Sequence, residues 1–185
     1  MNCNWFKFVM KITKVEYGKN LLLKGIPVIF NKKEATLTIG KNCIIKSSFL
    51  SNLIGLYSRT IIVTRAPKAE IVIGDNVGIS HANITAYEKV IIEDNVLIGS
   101  GVKIWDTDFH PINYKDRVEL GHGGKTKPII IKEGAFIGGC SIVLKGANVG
   151  IRSVIGAGSV VTGIIPDGEV WGGSPARFIR RVEEN

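Results

Sequence analysis

The strongest constraint on this chain is a six-residue period. Ile131, Ile137, Val143, Val149, Ile155 and Val161 are branched aliphatics, each six positions after the last. Four positions on from each stand Ala135, Ser141, Ala147, Ser153, Ser159 and then Ile165, the first five of them small. Gly138, Gly150 and Gly156 directly follow three of the aliphatics. A period of six is neither helical nor simple strand alternation. It fits a prism with three flat faces, one hexad to a face. The aliphatic points inward, the small residue fits beneath a tight corner, and Gly or Asn takes the turn. Three hexads close one coil of about 18 residues, and stacked coils make a parallel β-helix around a column of Ile and Val. A chance run of Ile and Gly in an ordinary β protein would not hold both residue classes in phase.

The same phase appears earlier. Ile39 and Ile45 carry it, it blurs between Ser47 and Pro67, and Ile73, Ile79 and Thr85 resume it. A one-residue slip follows, then Ile92, Ile98 and Ile104. From Trp105 to Ile130 the hexads stop. The expected organisation is therefore an all-β solenoid over residues 37–166, with an excursion loop at 105–130 leaving from one corner. Loops of that length in compact domains are usually functional or disordered. Residues 1–36 are expected to cover the open first coil, as solenoid ends require. Within them Trp5, Phe6, Phe8, Val9, Ile12 and Val15 interleave with Lys7, Lys11 and Lys14. That pattern also suits a helix lying on a membrane, so weak membrane-surface contact through residues 1–15 is a second expectation. Residues 167–185 are expected as a tail with a short basic helix beginning near Ser174-Pro-Ala-Arg.

Composition narrows the class. A chain of 185 residues is ample for one core. No run reaches the ~18 apolar residues of a membrane span. The start has no signal-peptide cleavage pattern, which predicts a cytoplasmic protein. Cys3, Cys43 and Cys140 are odd in number and far apart, which fits neither a disulfide framework nor a zinc motif. Cys43 stands where the repeat wants a small residue, so packing is its expected role. The net charge of +8 suits a polyanionic small ligand or an anionic surface. No nucleic-acid motif accompanies it and basic residues recur along the whole chain, so nucleic acid is not an expected partner.

The excursion opens with Trp105-Asp-Thr-Asp-Phe-His-Pro-Ile. Pro111 biases His110 toward an extended backbone. Asp106 and Asp108 alternate with it. Carboxylates beside an imidazole fix its tautomer and stabilise its cation, as a general base needs. A structural loop histidine accounts for the local sequence equally well.

Together the hexads, the loop with His110, Pro111 and Arg117, the run Ile155-Gly-Ala-Gly-Ser-Val-Val-Thr and the segment Gly173-Ser-Pro-Ala-Arg resemble the hexapeptide-repeat acyltransferases. The pattern is most similar to the sugar O-acetyltransferases, namely the maltose and galactoside enzymes and those associated with capsule and lipopolysaccharide synthesis. The resemblance covers roughly residues 37–180. It implies a left-handed parallel β-helix, acetyl-CoA as acyl donor, no required metal, and a homotrimer with active sites between neighbouring prisms. It implies His110 as the base that takes a proton from a sugar hydroxyl, with direct transfer in a ternary complex. Gly138, Gly139, Ala157, Gly158 and Thr162 match positions along the pantetheine, with Phe136 where the family often has tryptophan. Arg177 and Arg180 match basic residues near the adenosine phosphates. Backbone N–H groups of the Phe136-to-Ser141 turn are expected oxyanion donors. Asp106, Asp108, Asn83 and Arg117 are expected to support the base or the acceptor, although Asp106 and Asn83 read equally as corner residues.

Three other readings compete. An N-acetyltransferase of a nucleotide-linked amino sugar would use the same fold. A γ-carbonic-anhydrase-like hydratase would place three imidazoles around a metal, and the chain has His81, His110 and His122. A non-catalytic scaffold would need none of the His-Pro loop.

Overall fold

A computed structural model describes residues 3–54 and 58–183, with side chains from Phe6 onward. Among the described residues, short strands form three sheets of seven, eight and six strands, parallel throughout except for the last pair of the second. Every third strand joins the same sheet, so the chain winds as a three-sided parallel β-helix, and its hand is left. Successive coils lie in register. Ile92 pairs with Ile131 in the first sheet, Ile98 with Ile137 in the second and Ile104 with Val143 in the third.

The hexads explain the core. Ile131, Ile137, Val143, Val149, Ile155 and Val161 have no exposed surface. The small residues are sealed as well. Ser141 and Ser153 turn their hydroxyls onto the carbonyls of Gly156 and Pro166, at 3.0 and 2.6 Å. Larger residues there would collide with the next coil. Cys43 does pack as its position predicts, fully buried with its sulfur 3.1 Å from the Gly74 carbonyl. Burial pushes its thiol above the ordinary range.

Both ends differ from expectation. The solenoid begins well before residue 37. Strands Val15–Tyr17, Leu22–Lys24 and Val28–Phe30 make a complete first coil, paired with Leu37–Ile39, Ile44–Lys46 and Ile61–Val63. Only helix α1, Cys3–Ile12, lies outside it. α1 places Met10 in the core and Phe6 against it, so it closes the open coil. Trp5 lies outside the described side chains.

At the other end, among the described residues, no helix forms. Arg177–Arg181 is a strand, paired antiparallel with Glu169–Gly172. The last coil of the second sheet would otherwise present a row of unpaired backbone groups, and the returning strand satisfies them. Trp171 packs against the core and meets Phe178 edge-on, with ring centres 6.4 Å apart. That contact holds the hairpin across the open end.

Candidate active site

The strand Lys103–Trp105 ends in the third sheet, and the chain rejoins the first sheet at Ile129. Between them the excursion rises from one corner of the prism. Its stem is tied to the coils on either side. Asp106 is fully buried and accepts hydrogen bonds from the backbone N–H groups of Tyr87, Glu88 and Lys89 at 2.8, 2.7 and 2.7 Å. Burial pushes its carboxyl upward, against the pull of those three donors. Thr126 donates to Glu88 at 2.6 Å, and the Gly146 N–H donates to the Lys127 carbonyl at 3.1 Å. Asp108 reaches the following coil through Lys145, 2.9 Å away, while its second oxygen is buried without a partner.

Asp106 is therefore not an acceptor-binding group. Both its oxygens are occupied and it has no exposed surface. It staples the loop to the prism.

Above the stem, Phe109 wedges edge-on between Trp105 and Tyr87, with centres 5.5 and 6.0 Å away. Its φ of +61° is left-handed, which an L side chain adopts only at a cost of about 1–3 kcal/mol. The aromatic packing holds this turn, and the turn projects His110.

The His110 ring is exposed, and its Nδ1 lies 2.7 Å from the carbonyl oxygen of Gly121. A carbonyl only accepts, so Nδ1 carries a proton, and in the neutral ring the lone pair is on Nε2. Gly121 ends helix α2, Tyr114–Leu120, in the left-handed conformation at φ +65°. Asn113 caps the other end of α2, accepting from the Lys115 and Asp116 N–H groups. Arg117 Nη1 donates to the carbonyls of Pro111 and Ile112, at 3.2 and 2.9 Å. It holds the loop after His110 in shape.

Gly124 packs under the same turn. A Cβ there would stand 2.6 Å from the Phe109 nitrogen and 2.7 Å from that of His110. The tautomer of His110 is thus set by a helix-capping carbonyl. Neither Asp106 nor Asp108, the expected orienting carboxylates, bonds the ring. Sequence reasoning missed Gly121, Gly124 and Lys145; the Gly121-His-Gly-Gly run was the available signal for the first two.

A second cluster forms at the opposite corner of the third sheet, where the chain turns in from the second. Gly138 and Gly139 stack on Ala157 and Gly158. The Gly158 N–H donates to the Gly139 carbonyl at 2.9 Å, and a Cβ on Gly138 would come within 2.6 Å of the Ala157 nitrogen. Ala157, Gly158 and Thr162 are exposed beside them. The N–H groups of Phe136, Gly138 and Cys140 are spent on the carbonyls of Ser153, Ile155 and Ser100. Among the described residues, the Gly139 N–H makes no turn or cross-coil bond. That leaves the Gly139 N–H as a candidate donor in this turn. Phe136 faces outward from the second sheet, 43% exposed, in a row with Leu97 and Val154.

Arg177 pairs with Gly172 and Arg180 with Val170, while Ile179 is bulged out of register. The bulge restores alternation, so both arginines share one face of the hairpin. Both are exposed, and Arg180 lies 3.6 Å from Glu183.

Asn83 belongs to the third sheet and accepts from the Trp105 indole at 3.1 Å and the Thr85 hydroxyl at 2.8 Å. Its amide nitrogen remains free to donate into a groove of about 290 Å³ that Arg59, His81, Lys103 and Cys140 also line. His81 is only 2% exposed at a corner with φ +46°. Its Nε2 donates to the Ser48 carbonyl at 3.1 Å, and its Nδ1 is buried without a partner. His122 is exposed in the excursion. Among the described residues no three His, Cys, Asp or Glu side chains are placed to hold a metal.

In one chain, then, His110 and the glycine corner lie at opposite edges of the third sheet. The structure does not bring the expected base and the expected cofactor residues together within one prism.

No family profile matches the sequence. The chain is 31% identical to galactoside O-acetyltransferase of Lactococcus lactis over 149 residues, 80% of this chain and 64% of that protein. It folds like a hexapeptide-repeat acetyltransferase from Vibrio cholerae, with a TM-score of 0.61 and 22% identity over all of this chain and 82% of that one. The chain is thus similar to hexapeptide-repeat acetyltransferases and shares their fold. The Vibrio cholerae protein has also been solved complexed with acetyl coenzyme A, and that structure matches at a TM-score of 0.53 and 20% identity, covering 98% of this chain and 78% of that one. The chain is 35% identical to mitochondrial gamma carbonic anhydrase 2 of Arabidopsis thaliana over 135 residues, 64% of this chain and 48% of that protein. This hexapeptide-repeat chain spans about half the length of the curated relatives it matches. Among the described residues no helix is long and apolar enough to cross a membrane.

Proposed function

We propose that this chain is an acetyl-CoA-dependent O-acetyltransferase acting on a sugar hydroxyl, in the cytoplasmic synthesis of a surface polysaccharide. The observation that carries the reading is the His110 Nδ1–H bond to Gly121. In the neutral ring this puts the lone pair on Nε2, on an exposed loop, where it can accept a proton.

A sugar hydroxyl is far too weak an acid to ionise first. In this reading Nε2 takes its proton as the oxygen attacks the thioester carbonyl, worth about 10²–10⁴-fold in rate. The tetrahedral oxyanion accepts from the Gly139 N–H. It collapses with cleavage of the C–S bond, and the proton on His110 passes to the CoA sulfur. No side chain is acylated. The pantetheine lies along Gly138, Gly139, Ala157, Gly158 and Thr162, and the phosphates meet Arg177 and Arg180. Asn83 and the groove beside it hold the acceptor, while Arg117 and Asp108 shape the loop.

The same reading requires a homotrimer. The outward residues of the third sheet include Val28, Phe30, Ile61, Val63, Ile142, Leu144 and Val160, a largely apolar face interrupted by Asn83, Thr85 and Lys103. The first sheet is mixed by contrast, with an ion pair between Lys89 and Glu70. The excursion loop exposes Ile112, Tyr114, Val118 and Leu120, each more than half accessible. Packing third sheets against neighbours covers both surfaces. It also brings one chain's His110 to another chain's glycine corner.

Identity to the gamma carbonic anhydrases favours a second reading, a metal hydratase. Its three imidazoles do not fit here. His81 is buried and pinned to Ser48, so only His110 and His122 face solvent.

The test is release of CoA from acetyl-CoA on mixed sugar, amino-sugar and oligosaccharide acceptors, with wild type and His110→Ala. Ester formation lost in the variant supports the reading. Amide products would move the assignment to N-acetylation. Carbon dioxide hydration by zinc-loaded protein, with no acetyl transfer, would overturn it.

A further inference from the structure

The net charge of +8 is not evenly spread. Residues 1–46 hold nine lysines and two glutamates, while the rest of the chain holds 15 basic and 14 acidic residues. Because the coils stack in sequence order, this excess gathers at one end of the prism. Among the described residues only Lys41 of the nine makes an ion pair, with Asp75.

Helix α1 closes that same end. Phe6 and Met10 face the core, and the opposite side carries Phe8 and Ile12, 53% and 66% exposed. Lys7 and Lys11 flank them along the helix, and Lys14 follows it. Lys19, Lys24, Lys32 and Lys33 are exposed in and beside the first coil. A capping helix needs only one apolar side. The second apolar stripe, set among lysines, is the pattern of a helix that lies in a lipid interface.

We propose that the N-terminal end of the prism docks on a membrane surface rich in anionic lipid. Phe8 and Ile12 enter the boundary between headgroups and acyl chains, and the lysines lie against the headgroup layer. A nucleic-acid duplex would satisfy the charge through its phosphates but gives exposed Phe8 and Ile12 nothing to bury against. The inference does not depend on the transferase reading, since it uses none of the same residues.

The test is co-sedimentation of the full chain with vesicles of phosphatidylcholine alone, or with roughly one third phosphatidylglycerol. The wild type is expected to sediment with the anionic vesicles only, and to be released by salt that shortens the Debye length to about 3 Å. Each lysine near such a surface contributes about fivefold in partition. Lys19→Glu/Lys24→Glu and Lys7→Glu/Lys11→Glu should therefore each weaken binding by at least about 25-fold. Phe8→Ser/Ile12→Ser should weaken it while leaving Phe6 and Met10 in place. Lys115→Glu/Lys125→Glu, in the excursion, should leave it unchanged. Circular dichroism checks that every variant is folded, and the coil pair tests the idea without touching α1. Absence of wild-type binding, equal binding to neutral vesicles, unaltered binding by both lysine pairs, or preference for RNA or an acidic polypeptide at matched salt would each overturn the proposal.

Discussion

The Nδ1 of His110 lies 2.7 Å from the carbonyl oxygen of Gly121, the residue that ends the one short helix of the excursion. A backbone carbonyl cannot take the imidazole proton away, so it fixes the tautomer without competing for it. His110→Ala should lower kcat for acetyl transfer by about 10²–10⁴-fold. It should leave the rise in Tm with saturating acetyl-CoA intact, because a ligand that binds only the folded state stabilises it whether or not turnover follows. Paired thermal-shift and CoA-release measurements check both halves. A variant that loses the thermal shift would make His110 a binding residue.

The same turn depends on a position with no functional group. In Gly124→Ala the new methyl would meet backbone atoms of Phe109 and His110 at under 3 Å, and backbone cannot swing aside. The loop must shift, and displacing a catalytic group by about 1 Å costs on the order of 10²-fold in rate. Because Gly124 lies outside the prism, Tm should change little. Steady-state kinetics beside a thermal melt separates the two effects.

Asp106 behaves in the opposite way. Truncation to Ala strands three partly buried N–H donors at Tyr87, Glu88 and Lys89. Leaving buried donors unpaired costs roughly 1–3 kcal/mol each before relaxation or water entry. Asp106→Ala should therefore lower unfolding free energy by about 3 kcal/mol, and Asp106→Asn by less, since one oxygen still accepts. Urea denaturation measures this. A variant as stable as wild type would return Asp106 to the candidate acceptor groups.

The core was legible because each hexad sends its aliphatic to the same place, and 131–161 repeats without interruption. The first coil was hidden for a physical reason. Tyr17, Leu23 and Ile29 do stand six apart and pair with Ile39, Ile45 and Ile62. The first is an aromatic and only half-buried, so it does not announce the phase. The C-terminal strand was misread because its residues are all exposed and show no alternation of their own. What makes it a strand is the open edge of Glu169–Gly172, which no local pattern reveals. His110 was legible from its loop, but its partner was not. A backbone carbonyl eleven residues away leaves no side-chain signature.

The third sheet offers a direct test of assembly. Ile142 faces outward between Lys103 and Val160 on the largely apolar third sheet. Ile142→Glu places a charge there without touching the core column at Val143. If third sheets pack against one another, the variant should run as a monomer in analytical ultracentrifugation while the wild type runs as a trimer. Acetyl transfer should fall by at least about 10²-fold, because base and glycine corner then sit on separate molecules. A wild-type monomer with full activity would sink the shared-site arrangement.

The hairpin bulge at Ile179 turns Arg177 and Arg180 to one side, and that arrangement predicts how the donor is held. Charge-assisted bonds to phosphate are worth about 1.5–3 kcal/mol each. Exposure reduces this, so each single Ala variant should raise KM for acetyl-CoA by about tenfold with kcat unchanged. The effect belongs to the phosphates and not to the thioester. With acetyl-dephospho-CoA as donor, the wild type should lose affinity, and at least one of the two variants should lose no more than it already has. A pair of variants that lower kcat instead, with KM unmoved, would place the arginines near the reacting carbonyl and remove them from the nucleotide end of the groove.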